Sequence, residues 1–136
     1  MEAKAINRYI GSSPRKMRLV IDLIRGMGVE EALSVLHFLP KHAARTAEQV
    51  LRSAISNLQN KDHAGRVDTG KVFVKEVFVD GGPVQKRISA APMGRAFRIR
   101  KRSNHLTIVV AQRDEKKAVV KKAAPKVTET KNEAVS

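Results

Sequence analysis

The chain of 136 residues contains no cysteine, so disulfides and thiolate metal sites are excluded and an intracellular setting fits. Histidine is scarce: His37, His42, His63 and His105 are scattered, and no spacing joins two of them to carboxylates as a metal site requires. His37 and His42 read as surface or hydrogen-bonded helix residues. No stretch, the N-terminal "MEAKAINRYIG" included, approaches the roughly 18 apolar residues of a membrane span. The protein is therefore expected to have no membrane partner and to stay in its compartment of synthesis. Missing too are paired carboxylates, a phosphate loop, and any nucleophile set beside a base and an orienting group; "GMG" at residues 26–28 is simply a helix end. Neither an enzyme nor a cofactor is expected. The most informative absence is local: between residues 81 and 112 there is no acid at all.

What is present is positive charge. Lys and Arg outnumber Asp and Glu 27 to 13, for a net +14, and such a surface attracts polyanions through long-range steering and counterion release. The stretch after Ala111 is rich in Lys, Glu, Ala and Thr and poor in large apolar residues, so residues 113–136 are expected to form a disordered charged tail. Setting them aside leaves 20 basic against 9 acidic residues, net +11. The basicity thus belongs mainly to one folded domain, residues 1–112, which is long enough for a modest core.

Residues 3–10 read as a strand, with Lys4, Ile6, Arg8 and Ile10 on one side and Ala3, Ala5, Asn7 and Tyr9 on the other. Ser13 and Pro14 open a helix as N-cap and first residue, and Gly26 closes it. Met17, Val20, Ile21 and Ile24 give this helix an inward face. Its first turn carries Arg15, Lys16 and Arg18, where the helix dipole favours acids. Two readings stand: solvated cations tolerated at small cost, or a turn completed by a bound phosphate. Residues 29–39 form a second helix stopped by Pro40. Residues 41–60 form a third, striped with Ala43, Ala44, Ala47, Val50, Leu51, Ala54, Ile55 and Leu58. So many alanines imply close packing in a core. Residues 60–70 are a polar, glycine-bearing loop.

"KVFVKEVFVD" at residues 71–80 and "HLTIVV" at residues 105–110 are strands. Between them lie Lys86, Arg87, Arg95, Arg98, Arg100, Lys101 and Arg102, unbalanced by any acid. Two arrangements compete. Either "DGGP" at residues 80–83 is a tight turn, or it is a bend within a longer arm that reverses in "SAAPMG" at residues 89–94. The second is preferred because it sets residues 72–79 opposite roughly residues 103–110, apolar against apolar and basic against basic. Arms of 17 or 18 residues at about 3.3 Å each reach on the order of 55 Å, against a radius of gyration of about 13 Å for a 100-residue body. The tip must project. Five arginines to two lysines suit forked hydrogen bonds to phosphates, whereas the tip itself is small and uncharged.

"SSPRKMRLVIDLIRG", "ALSVL", "AARTAEQVLRSAISNLQN", "VFVDGGPVQKRI" and "GRAFRIRKRSNHLTIVV" follow one another in a way that resembles the family of large-subunit ribosomal protein twenty-two, in its bacterial type. The resemblance spans about residues 3–111. It implies an α+β fold, with three helices packed on a small antiparallel sheet and a long protruding β-hairpin over residues 71–111. It also implies a structural constituent of the large subunit, cytoplasmic within the ribosome, that binds ribosomal RNA and helps organise several RNA domains during assembly. Further implied partners are neighbouring ribosomal proteins and the nascent peptide, met where the hairpin tip lines the exit tunnel near the macrolide site. Expected RNA contacts are Arg15, Lys16, Arg18, Lys86, Arg87, Arg95, Arg98, Arg100, Lys101, Arg102 and His105. Expected tunnel-lining residues are Ser89, Ala90, Ala91, Pro92, Met93 and Gly94. The chain departs from the family where relatives carry a basic stretch before "GR": Ala90, Ala91, Pro92 and Met93 stand there, so basic tip contacts do not carry over. A DNA reader is the alternative for a basic chain with three helices, but residues 41–60 carry only Lys41, Arg45 and Arg52 against Glu48, and no DNA partner is expected.

Overall fold

A computed structural model describes residues 1–61 and 68–112. Most of the 60–70 loop, with His63, and the 113–136 tail lie outside them. The chain runs β1 (Glu2–Ile10), α1 (Pro14–Ile24), α2 (Val29–Phe38), α3 (His42–Lys61), β2 (Val72–Ala90) and β3 (Ala96–Gln112), with single 3-10 turns at Thr69–Lys71 and Pro92–Gly94. The three strands form one antiparallel sheet in the order β1-β3-β2. This is the expected α+β architecture.

β3 is the central strand of the body, and its alternation fixes the core. Asn104, Leu106, Ile108 and Val110 are all completely buried, as successive residues on one face of a pleated strand must be when that face is covered. Met17, Val20, Ile21 and Ile24 of α1 and the alanine stripe of α3 are buried with them, Ile55 only partly. α3 lies against β1, and there the sides of β1 differ in use from what size alone would suggest. Ala3 and Ala5 face the core while Ile6 is exposed. Alanine on both helix and strand lets the two backbones approach closely, a fit that Ile6 would prevent. Asn57 and Lys61 of α3 secure that approach by donating to the carbonyls of Lys4 and Glu2.

α1 begins as expected at Pro14 with Ser13 as N-cap, but the Ser13 hydroxyl makes no cap bond. The Ser13 carbonyl instead accepts from the amides of Lys16 and Met17. The other end of α1 docks on β2: Gly26, in the left-handed conformation at φ 77°, donates to the Val74 carbonyl, and the Val74 amide returns a bond to Met27. Arg18 and Arg25 add bonds to the carbonyls of Val79 and Val77. The helix that begins with cations is thereby clamped to the strand that becomes the arm.

Candidate nucleic-acid interface

β2 and β3 pair continuously from Val72↔Gln112 to Ala90↔Ala96. Asp80 pairs with His105 and Val84 with Arg102 in that one ladder, so "DGGP" is a bulge and not a turn. The reversal comes at residues 91–95, where the Ala91 amide donates to the Arg95 carbonyl at 3.1 Å. Pairing is displaced two to three residues from the expected register: Val79 meets Leu106. The reason is that the reversal centres on Met93; two irregularities, between Val74 and Glu76 and between Gly81 and Val84, at each of which β2 spends one extra residue, take back part of that offset toward the base. Because β1 and the helices cover only residues up to about Gly81 and Asn104, the free arm is the last seven paired rows, from Val84↔Arg102 to Ala90↔Ala96, on the order of 20 Å long.

The bulge at the root is built by a close approach. A Cβ on Gly82 would stand 2.5 Å from the Ser103 hydroxyl and 3.2 Å from that residue's carbonyl carbon, so only glycine fits. The Ser103 hydroxyl donates to the Pro83 carbonyl at 2.7 Å, closing the extra loop. One residue further in, Asn104 is fully buried and its amide donates to the Ser12 carbonyl at 2.7 Å and the Ser12 hydroxyl at 2.8 Å. Root and helix start are therefore one unit.

Beyond the root the alternation continues with different side chains. Partners directly opposite in an antiparallel pair share a face, so one face carries Val84 with Arg102, Lys86 with Arg100, and Ile88 with Arg98. Along β3 this is the face of Leu106, Ile108 and Val110. The stripe that is core in the body turns into a column of arginines spaced about 7 Å apart. The opposite face carries Gln85 with Lys101, Arg87 with Ile99, and Ser89 with Phe97.

All the arm residues are exposed or nearly so. Among the described residues, no hydrogen bond or ion pair engages the side chains of Lys86, Arg95, Arg98, Arg100, Lys101 or Arg102. Arg87 differs, since its guanidinium donates to Gln85 Oε1 at 2.9 Å and to the Lys86 carbonyl at 3.0 Å.

Of the other expected RNA contacts, Arg15 and Lys16 are exposed at the start of α1, a first turn without acids. A concavity of about 580 Å³ separates that start from the arm, with Tyr9, Gly11 and Ser13 on one side and Pro83, Arg100 and Arg102 on the other. The cations that line this hollow, Arg100, Lys101 and Arg102, come from the arm, and the α1 side reaches it through Ser13. Arg18 is exposed but tied to Val79. His105 accepts the Tyr9 amide on Nδ1 at 2.9 Å, and the two rings meet edge to face at 4.9 Å. That bond holds Tyr9 in the left-handed region at φ 59°. His105 has a structural task at the root besides any contact with a ligand.

At the tip, Met93 and Gly94 take left-handed conformations in succession, φ 60° and 69°, and Met93 is 93% exposed. Sequence reasoning missed Tyr9, Gly82, Ser103 and Asn104 because their roles come from contacts across about 20 or more positions. It also missed the two-faced arm, although alternation over residues 97–102 already carried that signal.

These features define a class: a small basic α+β body with a projecting, acid-free cationic arm. The model of the family described as "Ribosomal protein L22p/L17e" matches residues 5–111, and the chain belongs to that family. A "Large ribosomal subunit protein uL22" from Chlorobium phaeobacteroides is 52% identical over 110 residues, covering 81% of this chain and 94% of that protein. Proteins with the same name from Desulfitobacterium hafniense and Flavobacterium johnsoniae are 49% and 56% identical, covering 84% and 73% of this chain and 97% and 72% of their own lengths.

Proposed function

We propose that the protein is a structural constituent of the large ribosomal subunit, working in the cytoplasm within the ribosome, where its arm is embedded in ribosomal RNA. In this reading the body packs against RNA and neighbouring ribosomal proteins at the arm's root. The arm's cations bridge RNA domains during assembly, and the uncharged tip, residues 89–94, lines the exit tunnel beside the nascent peptide and the macrolide site. The observation that carries it is the change along β3: a stripe that is buried core up to Asn104 continues as Arg102, Arg100 and Arg98 with no internal partner. A two-stranded ribbon is marginal in water, and seven like charges oppose it further. RNA phosphates supply the missing counter-charge. Arg15 and Lys16, exposed in an acid-free first turn just after Ser13 of the hollow, support the phosphate reading of the α1 start over the solvated one.

The test replaces Arg98, Arg100 and Arg102 together with glutamine in the full chain. Binding to large-subunit ribosomal RNA should weaken, and the slope of log affinity against log salt should flatten by about 0.7 to 0.9 per lost phosphate contact. An unchanged slope rejects direct contact. The variant should also sediment less with large subunits after a moderate salt wash.

A further inference from the structure

The arginine column accounts for one face of the arm and leaves the other unexplained. That second face carries the arm's single aromatic ring, Phe97, 62% exposed and without a ring partner among the described residues. Ile99 follows two positions along, and Ser89 stands opposite the ring. Arg87 is two rows away, the next residue of β2 on that face, at a diagonal of about 7–8 Å, with its guanidinium fixed by Gln85 and the Lys86 carbonyl. Lys101 closes the row beyond. A flat apolar ring with cations set on the same face, in an arm without acids, matches a ligand that is flat and apolar at one end and anionic at the other.

Resting on the RNA-binding reading above, we infer that this face binds unpaired nucleotides of RNA, with a base stacked on Phe97 and its phosphate held by Arg87 or Lys101, while the arginine face follows the backbone. A polypeptide satisfies both only where an aromatic and a carboxylate happen to fall together, whereas every nucleotide carries a flat ring and an anion. A paired helix would satisfy the cations but not the ring, because bases in a duplex are already stacked and their grooves do not offer a free face. An unpaired nucleotide satisfies both. Stacking on an exposed aromatic is tolerant of sequence, so the site reads the unpaired state and not base identity.

The two faces therefore differ in a measurable way, since cation contacts set the salt dependence of binding and stacking does not. The test uses the full chain, a single-stranded oligoadenylate, and an RNA duplex with the same number of phosphates. Phe97→Leu keeps an apolar side chain on the ribbon but removes the π-face; Phe97→Tyr keeps it. Phe97→Leu should weaken oligoadenylate binding roughly tenfold with the salt slope and duplex affinity unchanged, and Phe97→Tyr should bind as the parent does. Unchanged oligoadenylate affinity in Phe97→Leu, or an equal loss on the duplex, overturns the inference. The arginine variant separates the two levels. If it flattens the salt slope while Phe97→Leu is silent, RNA binding stands and this inference falls, leaving the ring face to a polypeptide; if the slope does not move, both fall.

Discussion

The two halves of β3 follow one geometric rule and live in different surroundings. Between residues 104 and 112 the strand is paired on both edges, by β1 and β2, and one face is sealed by helices. Between residues 96 and 102 it keeps only β2, and both faces are open. Every second residue on the same side is Leu106, Ile108 and Val110 in the first half and Arg98, Arg100 and Arg102 in the second. The body completes itself with its own apolar side chains, and the arm is built to be completed by something else. The difference teaches that the arm's sequence is chosen against self-sufficiency: a strand that could pack alone would not need a partner.

The most forceful way to break that contrast is to truncate matching positions in each half. Leu106→Ala opens a cavity beneath the helices and should cost about 2–5 kcal/mol of unfolding free energy, because Leu106 is fully buried. Arg100→Ala, on the same side of the same strand, should change it by no more than about 0.5 kcal/mol. Denaturant midpoints of the free protein measure both. Comparable losses at the two positions would mean that the arm belongs to the cooperative unit of the body, and the division drawn at Asn104 would fail.

How much of this division could be read from the sequence depends on range. The helices and core stripes were legible because Met17, Val20, Ile21 and Ile24, or Ala43 through Leu58, repeat at helical spacing within one element. A reversal beyond "DGGP", within residues 89–94, was legible too, because that arrangement puts apolar residues against apolar ones; it falls at residues 91–95. The register was not, since it depends on the turn centring on Met93 and on two extra residues in β2 that partly offset that choice, neither of which shows until both strands are laid side by side. Nor was the use of Ala3 and Ala5 in place of Ile6, which depends on how near α3 comes. The cations were found as a run, but a run has no faces; the pairing of Arg87 with Ile99 and of Ile88 with Arg98 assigned them to opposite sides.

The junction sharpens the comparison at an intermediate scale. Gly82→Ala drives a methyl group against Ser103, whose carbonyl carbon cannot swing aside as a side chain can. The expected cost is about 1–3 kcal/mol, borne by the bulge and the rows beyond it. Amide exchange of the arm, residues 84–102, should quicken while the denaturant midpoint of the body moves less. A fall in the midpoint matching that in the arm would show that the bulge supports the core as well.

The smallest effect contrasts surface charge that is internally matched with surface charge that is not. In the body, Lys75 donates to Glu2 across the sheet. That hydrogen bond holds the Glu2 carboxyl below its ordinary value of 4.5, with burial opposing, and raises the Lys75 ammonium above 10.5. Glu2, lowered in the folded state, contributes stability that is fully present above 4.5 and disappears as pH falls through its lowered value. Lys75, raised in the folded state, contributes below 10.5 and loses its contribution as pH rises through its raised value. The pair therefore supports the fold across the neutral range, weakly, because both groups are in water. Glu2→Gln should be slightly less stable than the parent near neutrality, and the gap should close as acid protonates Glu2; a gap independent of pH would mean that Gln is simply a poorer fit at β1. The arm, residues 84–102, has neither a carboxylate nor a histidine, so its charge stays constant over the same acid range. RNA affinity carried by the arm should stay level there while the stability gap narrows, so that one titration separates the half that balances its own charge from the half that leaves it for a partner.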